Sequence, residues 1–202
     1  MELTVVRHGE TTHNAAGIMQ GHLDVDLNES GHEQTKALAK RLGESKFDII
    51  YSSDLKRCAE MIKEISKYHS GTPVIYDSEM RERNLGELQG TKRSDLNWDN
   101  FPGTFMDKKP KGGESLNEMK ERVQSFLDML KQKHSKERVL LVAHGGFMRM
   151  LTGILSPEFS IEVAFKKFKF HNTAVCEWTI EGDKVQEHKF NDISHLAFKL
   201  ND

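Results

Sequence analysis

Three short apolar runs in this chain end abruptly in basic or imidazole side chains: LTVV runs into Arg7-His8-Gly9, FDIIYSS into Asp54-Leu55-Lys56-Arg57, and VLLVA into His144-Gly145-Gly146. Apolar runs of this length with polar ends read as buried strands. Longer stretches of helical periodicity lie between them, and strand–helix alternation of this kind builds a mostly parallel sheet with helices on both faces. In such sheets ligands gather beyond the carboxyl ends of the strands. The three polar segments are therefore expected to meet at one edge of one sheet. A fourth segment, Glu79-Met80-Arg81-Glu82-Arg83, follows a weaker apolar run and is expected to join them.

The full pattern predicts a three-layer α/β/α sandwich, within a single domain over residues 1–202, with a small cap above the C-terminal strand ends. Strands are expected at 3–6, 47–51, 74–76 and 139–142. Helices are expected at 28–42, after Asp54 as N-cap, at 114–134, and from Gly145 onward. Residues 172–190 read as a hairpin around Glu181-Gly182-Asp183. Residues 91–113 mix Gly, Pro, Lys and aromatics without a period, and a loop of that length inside a compact domain reads as a functional cap insertion.

Composition narrows the partners. The formal net charge is -2, and no continuous basic stripe marks a nucleic-acid binder, so any anion site must be built locally. No run approaches the roughly 20 apolar residues of a membrane span, and the first residues do not read as a targeting segment, so the expected location is the cytoplasm. Cys58 and Cys176 fit no metal or redox spacing and read as reduced, structural thiols. His13, His22 and His32 near His8 lack the spacing of a zinc site and read as surface histidines. No metal and no cofactor is expected.

The amino-terminal block Arg7-His8-Gly9-Glu10-Thr11-Thr12-His13-Asn14 resembles the RHGxTxxN hallmark of the histidine phosphatase superfamily, also called phosphoglycerate mutase-like. The resemblance extends over nearly the whole chain: Arg57 after the second strand, Glu82 in an acidic loop, Gly112-Gly113-Glu114-Ser115, and the late His144-Gly145 pair. It implies that His8 attacks phosphorus and carries the phosphoryl group. It also implies that Arg7, Arg57 and His144 grip the phosphate oxygens, and that Glu82 gives and takes the proton. Asn14, Gln20, Gly21 and the Gly145 N–H are the implied substrate contacts. These roles fit physical need, because phosphoryl transfer is mostly positioning and charge stabilisation around three oxygens. A neutral imidazole also serves as nucleophile once an acceptor fixes its tautomer, here a carbonyl of the Gly9 turn or a nearby carboxylate.

Within this family the segment from Asn84 to Gly90 is close to the phosphatase-like GxxxG form, and residues 91–111 do not resemble the longer mutase cap. The implied reaction is hydrolysis of phosphate monoesters of small metabolites. The second reading is a cofactor-dependent phosphoglycerate mutase, and further ones are a catalytically silent phospho-ligand binding module or a metal-dependent hydrolase. Trp98, Phe101, Phe105 and Met106 read either as satellite core or as substrate contacts. Lys92, Arg93, Lys108, Lys109 and Lys111 read either as a solvated face or as an anion-attracting rim. The chain is expected to be a monomer or homodimer.

Overall fold

Strand β1 (Glu2–Arg7) lies near the middle of a six-stranded sheet of order β3-β2-β4-β1-β5-β6. Its neighbours are β4 (Arg138–Ala143), parallel to it, and β5 (Val175–Glu181), antiparallel. Strand β2 (Ile49–Ser52) pairs in parallel with β4 and with β3 (Val74–Tyr76), while β6 (Lys184–Asp192) closes the far edge as the second arm of the predicted hairpin. This computed structural model describes residues 1–156 and 158–196.

Period-two alternation sends side chains to two cores. Leu3, Val5, Val139, Leu141, Cys176 and Trp178 face α4 (Leu116–Lys133) and α5 (Gly145–Leu155), whereas Val6, Ile50, Leu140 and Val142 face α2 (Glu29–Leu42) and α3 (Lys56–Ile65). The expected sandwich with a mostly parallel sheet is the observed one. Two short helices lie outside it and were not anticipated: α1 (Thr12–Ala15) and α6 (Ile161–Lys167).

Capping decides several boundaries. Helix α2 starts after Asn28, whose side chain accepts from Gly31 N–H. Helix α4 starts at Leu116, two residues after the expected bound at 114, because Ser115 and Glu118 form a reciprocal capping box. Asp54 does not cap α3: the N-cap is Leu55, without a side-chain bond, and the Asp54 carboxylate pairs with Arg81 instead. The competing guanidinium takes the acceptor that the helix would have used.

Residues 91–113 are not structureless, since 3-10 turns at Arg93–Asp95 and Trp98–Asn100 shape them. Their entry is tied down by Met19 N–H to Thr91 O at 2.9 Å and Arg93 N–H to Gly17 O at 2.9 Å. Among the described residues, no helix is long and apolar enough to cross a membrane.

Candidate active site

His8 follows β1 directly, and its N–H donates to Ala143 O at 3.0 Å, which locks the end of β1 to the end of β4. The turn is packed tightly against α2: a Cβ on Gly9 would lie 2.6 Å from Gly31 O, and one on Gly31 would lie 2.0 Å from Glu10 O. The His8 ring is 3% exposed, with Nδ1 2.7 Å from Gly9 O. A carbonyl only accepts, so Nδ1 carries the proton and a neutral ring presents its Nε2 lone pair. Burial first, then the Arg57 and Arg7 charges, hold the His8 pKa well below the ordinary 6.5, with the Gly9 bond opposing them. The ring stays neutral over the physiological range.

The His144 and His8 ring centroids are 5.2 Å apart. Arg57 Nε donates to His144 Nδ1 at 3.1 Å, so that nitrogen accepts and the proton sits on Nε2, 2.8 Å from Ser53 Oγ. The Cys58 thiol packs against the same ring, Sγ to Nε2 being 3.5 Å, and burial pushes its pKa up to about 12. Burial, followed by the Arg57 charge and His8, also holds His144 well below 6.5. Arg57 is fully buried, its Nη1 and Nη2 reaching Leu23 O and Gly21 O at 2.8 Å each. Buried guanidinium, imidazole and serine hydroxyl thus form one satisfied network behind His8.

In front of His8 opens a cavity of about 640 Å³ lined by Arg7, Asn14, Gln20, Gly21, Arg57 and Glu82, among others. Arg7 spends Nη1 on Phe170 O at 2.7 Å, and its Nε is buried without a partner. Its pKa is drawn down to about 10 by burial, opposed by Glu82 and assisted by Arg149, Arg93 and Arg57. Asn14 receives Thr11 and Asn172 donors on Oδ1, which leaves its amide N–H groups to face the cavity. Glu82 takes N–H bonds from Arg83 at 2.8 Å and from Gly146 at 2.9 Å, so its carboxylate sits at the start of α5, where a helix favours negative charge.

Seven of the nine residues expected from sequence share this wall; His144 and Gly145 lie behind it. Gly145 packs against Arg7 and does not itself line the cavity, whereas Gly146 reaches the wall with its N–H committed to Glu82. His144 has both ring nitrogens engaged, Nδ1 by Arg57 and Nε2 by Ser53, so in this arrangement it orders the Arg57 guanidinium. His22 is not a surface histidine; half-buried, its Nε2 is 2.8 Å from Glu82 O. Of the cap cations, Arg93 and Lys108 line the cavity, while Lys109 is paired with Glu118.

Sequence reasoning missed Arg83, Arg149 and the α6 wall of Phe165 and Lys166, which line the cavity, and Ser53, which holds His144 behind it. Ser53 had a signal in its position at a strand end. Arg83 stacks at 4.6 Å over Trp98, which itself lines the cavity, and donates to Glu114 O and Lys108 O, so it knits the cap together. Among the described residues, no group of three or more His, Cys, Asp or Glu side chains is arranged to hold a metal.

The family model for the histidine phosphatase superfamily (branch 1) matches residues 3–193. The chain belongs to this superfamily. Among its histidine phosphatase relatives is phosphoglycerate mutase-like protein 4 of Arabidopsis thaliana, 38% identical over 204 residues that cover 96% of this chain and 86% of that protein. A metal-independent phosphoserine phosphatase of the same plant is 34% identical, covering 97% and 83% of the two chains. The solved structure of an Entamoeba histolytica phosphoserine phosphatase variant in complex with phosphoserine superposes with a TM-score of 0.83 at 27% identity, covering 96% of this chain and 98% of that one.

Proposed function

We propose that this histidine phosphatase hydrolyses phosphate monoesters of small metabolites through a phosphohistidine on His8, without metal or cofactor. The observation that carries the reading is the His8 ring itself, buried and neutral, its tautomer fixed by Gly9 O so that Nε2 is free beside Arg7 and Arg57.

In the first step Nε2 attacks phosphorus, the bond from phosphorus to the ester oxygen breaks, and protonated Glu82 gives its proton to the departing alkoxide. In the second, water attacks the phosphohistidine, Glu82 accepts its proton, and inorganic phosphate leaves with the Nε2 lone pair restored. Arg7, Arg57 and the Asn14 amide face the equatorial oxygens, where charge must be stabilised. Gln20 and Gly21 contact the substrate body, and His144 with Ser53 holds the Arg57 guanidinium in place. Both cysteines are buried and unpaired, which suits a reducing compartment, and we assign the activity to the cytoplasm.

Brief incubation with a radiolabelled monoester should give an acid-labile, base-stable phosphoprotein, and His8→Ala should abolish the label and cut kcat by at least about a thousandfold. Turnover should persist in the presence of a chelator. Label that survives in His8→Ala sinks the nucleophile assignment, and isomerisation of a phosphoglycerate in place of hydrolysis moves the chain to the mutase reaction.

A further inference from the structure

Residues 168–174 connect α6 to β5 as an irregular strap, and its polar groups meet the catalytic residues one after another. Phe168 O accepts from Arg149 Nε at 2.6 Å, and Phe170 O accepts from Arg7 Nη1 at 2.7 Å. Asn172 and Thr173 then close on the nucleophile turn. The Asn172 side-chain Nδ2 donates to His8 O at 3.0 Å, and the Thr173 N–H donates to Arg7 O at 3.2 Å.

This strap is pinned in place. Thr173 is fully buried with φ at 57°, a left-handed conformation that a β-branched residue rarely enters. Such a conformation persists only where the surroundings fix it. Here Thr173 Oγ1 donates to Asn172 O at 2.7 Å and lies 3.1 Å from His195 Nε2. From β6, Asn191, itself at φ 52°, accepts the His171 N–H on Oδ1 at 3.0 Å and donates from Nδ2 to Lys169 O at 3.1 Å.

Asn172 Nδ2 has a second contact, 3.3 Å from Asn14 Oδ1. Because His8 O can only accept, Asn172 must turn its NH2 group this way, and a group with donors alone requires the facing Asn14 atom to be the oxygen. The Thr11 N–H, 3.3 Å from the same oxygen, makes the same demand. Asn14 lines the cavity, whereas Asn172 stands outside it. A reversed Asn14 amide would aim a carbonyl oxygen at the phosphate where an N–H is needed.

We propose that Asn172 is a positioning residue: its one NH2 group ties the backbone of the nucleophile to the Asn14 carboxamide and keeps the Asn14 N–H groups turned toward the phosphate oxygens. The catalytic consequence rests on the phosphatase reading. The binding consequence does not, and it is measured without turnover.

Calorimetric titration of the full-length protein with tungstate, a tetrahedral oxyanion that stands in for phosphate, gives the readout of a double-mutant cycle. Asn14→Ala should weaken tungstate binding about tenfold or more, as loss of a hydrogen bond to a charged group does, and Asn172→Ala about three- to tenfold, as loss of one neutral bond does. In the Asn14→Ala background, Asn172→Ala should change the affinity less than about twofold, because the amide it orients is gone. A merely structural role predicts equal losses in both backgrounds, so additive losses overturn the proposal, as does parental affinity in either single variant. Asn172→Ser keeps a polar side chain but is too short to reach Asn14, and it carries the same cycle if Asn172→Ala does not fold. Coupling between the two positions in a chain that forms no phosphohistidine overturns the phosphatase reading and leaves the positioning role standing.

Discussion

A Cβ added at Gly146 would lie 2.0 Å from Glu82 Oε1, with the carboxyl carbon at 3.0 Å, so alanine there has to push the proposed acid away from its helix-start seat. A displacement near 1 Å at a reacting group costs roughly a hundredfold in rate. Gly146→Ala is therefore expected to lower kcat by about ten- to a hundredfold while the protein stays folded, as read by kinetics beside circular dichroism; unchanged kcat would mean that the Glu82 position does not matter. Glu82→Gln keeps the volume and removes the proton, and should lower kcat by about a hundredfold or more with little change in binding of a product phosphate. If weakened binding is the whole effect, another carboxylate is the acid. Arg7, His8, Arg57 and Glu82 were legible in the sequence because each lies at or soon after a strand end. Arg93 was legible only as one of several cap cations and Ser53 only as a strand-end serine, while Arg149 was not, because nothing local shows that the second turn of α5 lines the same cavity. The acceptor that fixes His8 was left between a carbonyl and a carboxylate, and only the turn geometry selects Gly9 O.

Helix α4 shows how far an element can be read and where reading stops. Its stripe of Leu116, Met119, Val123, Phe126, Leu127 and Leu130 is plain in the sequence and fully used in the core. Its start is set by Ser115, which accepts from Glu118 N–H at 3.1 Å while Glu118 accepts from Ser115 N–H at 2.7 Å. Ser115→Ala should cost about 1 kcal/mol, lowering Tm by roughly 2–4 °C for a chain of this size. A calorimetric Tm equal to that of the parent would show that the Glu118 carboxylate, held by Lys109, fixes the start of the helix without the serine hydroxyl. Asp54 is the converse case. An aspartate before an apolar-periodic run is a sound capping signal, but Arg81 arrives from a distant segment and takes the carboxylate. Helix α6 was missed because a seven-residue helix has too few turns to display a period.

At the scale of the whole molecule, the order β3-β2-β4-β1-β5-β6 depends on pairings between distant segments, and periodicity carries no record of which strand lies beside which. The same convergence buries neutral imidazoles, and that gives folding a pH dependence. His8 and His144 are held well below 6.5, His195 is lowered to about 4, and His22 and His69 are lowered as well, burial being the first cause in each. Between these folded values and about 6.5 the unfolded chain binds more protons than the native one, so stability is complete above about pH 7 and falls as the pH drops through 6.5. Asp48 and Asp192, lowered to about 2 from 3.8, lose their contribution only at more acid pH, as the pH falls below 3.8. The window from about pH 6.5 to 5 therefore reports the histidines. Each buried one contributes at most about 1.4 kcal/mol per pH unit, so urea melts at about pH 7.5, 6 and 5 should show ΔG declining, and His8→Asn should reduce that slope by roughly one proton. A parental slope in His8→Asn would mean that the His8 ring is protonated in the native state across this window, and a cationic ring offers phosphorus no lone pair.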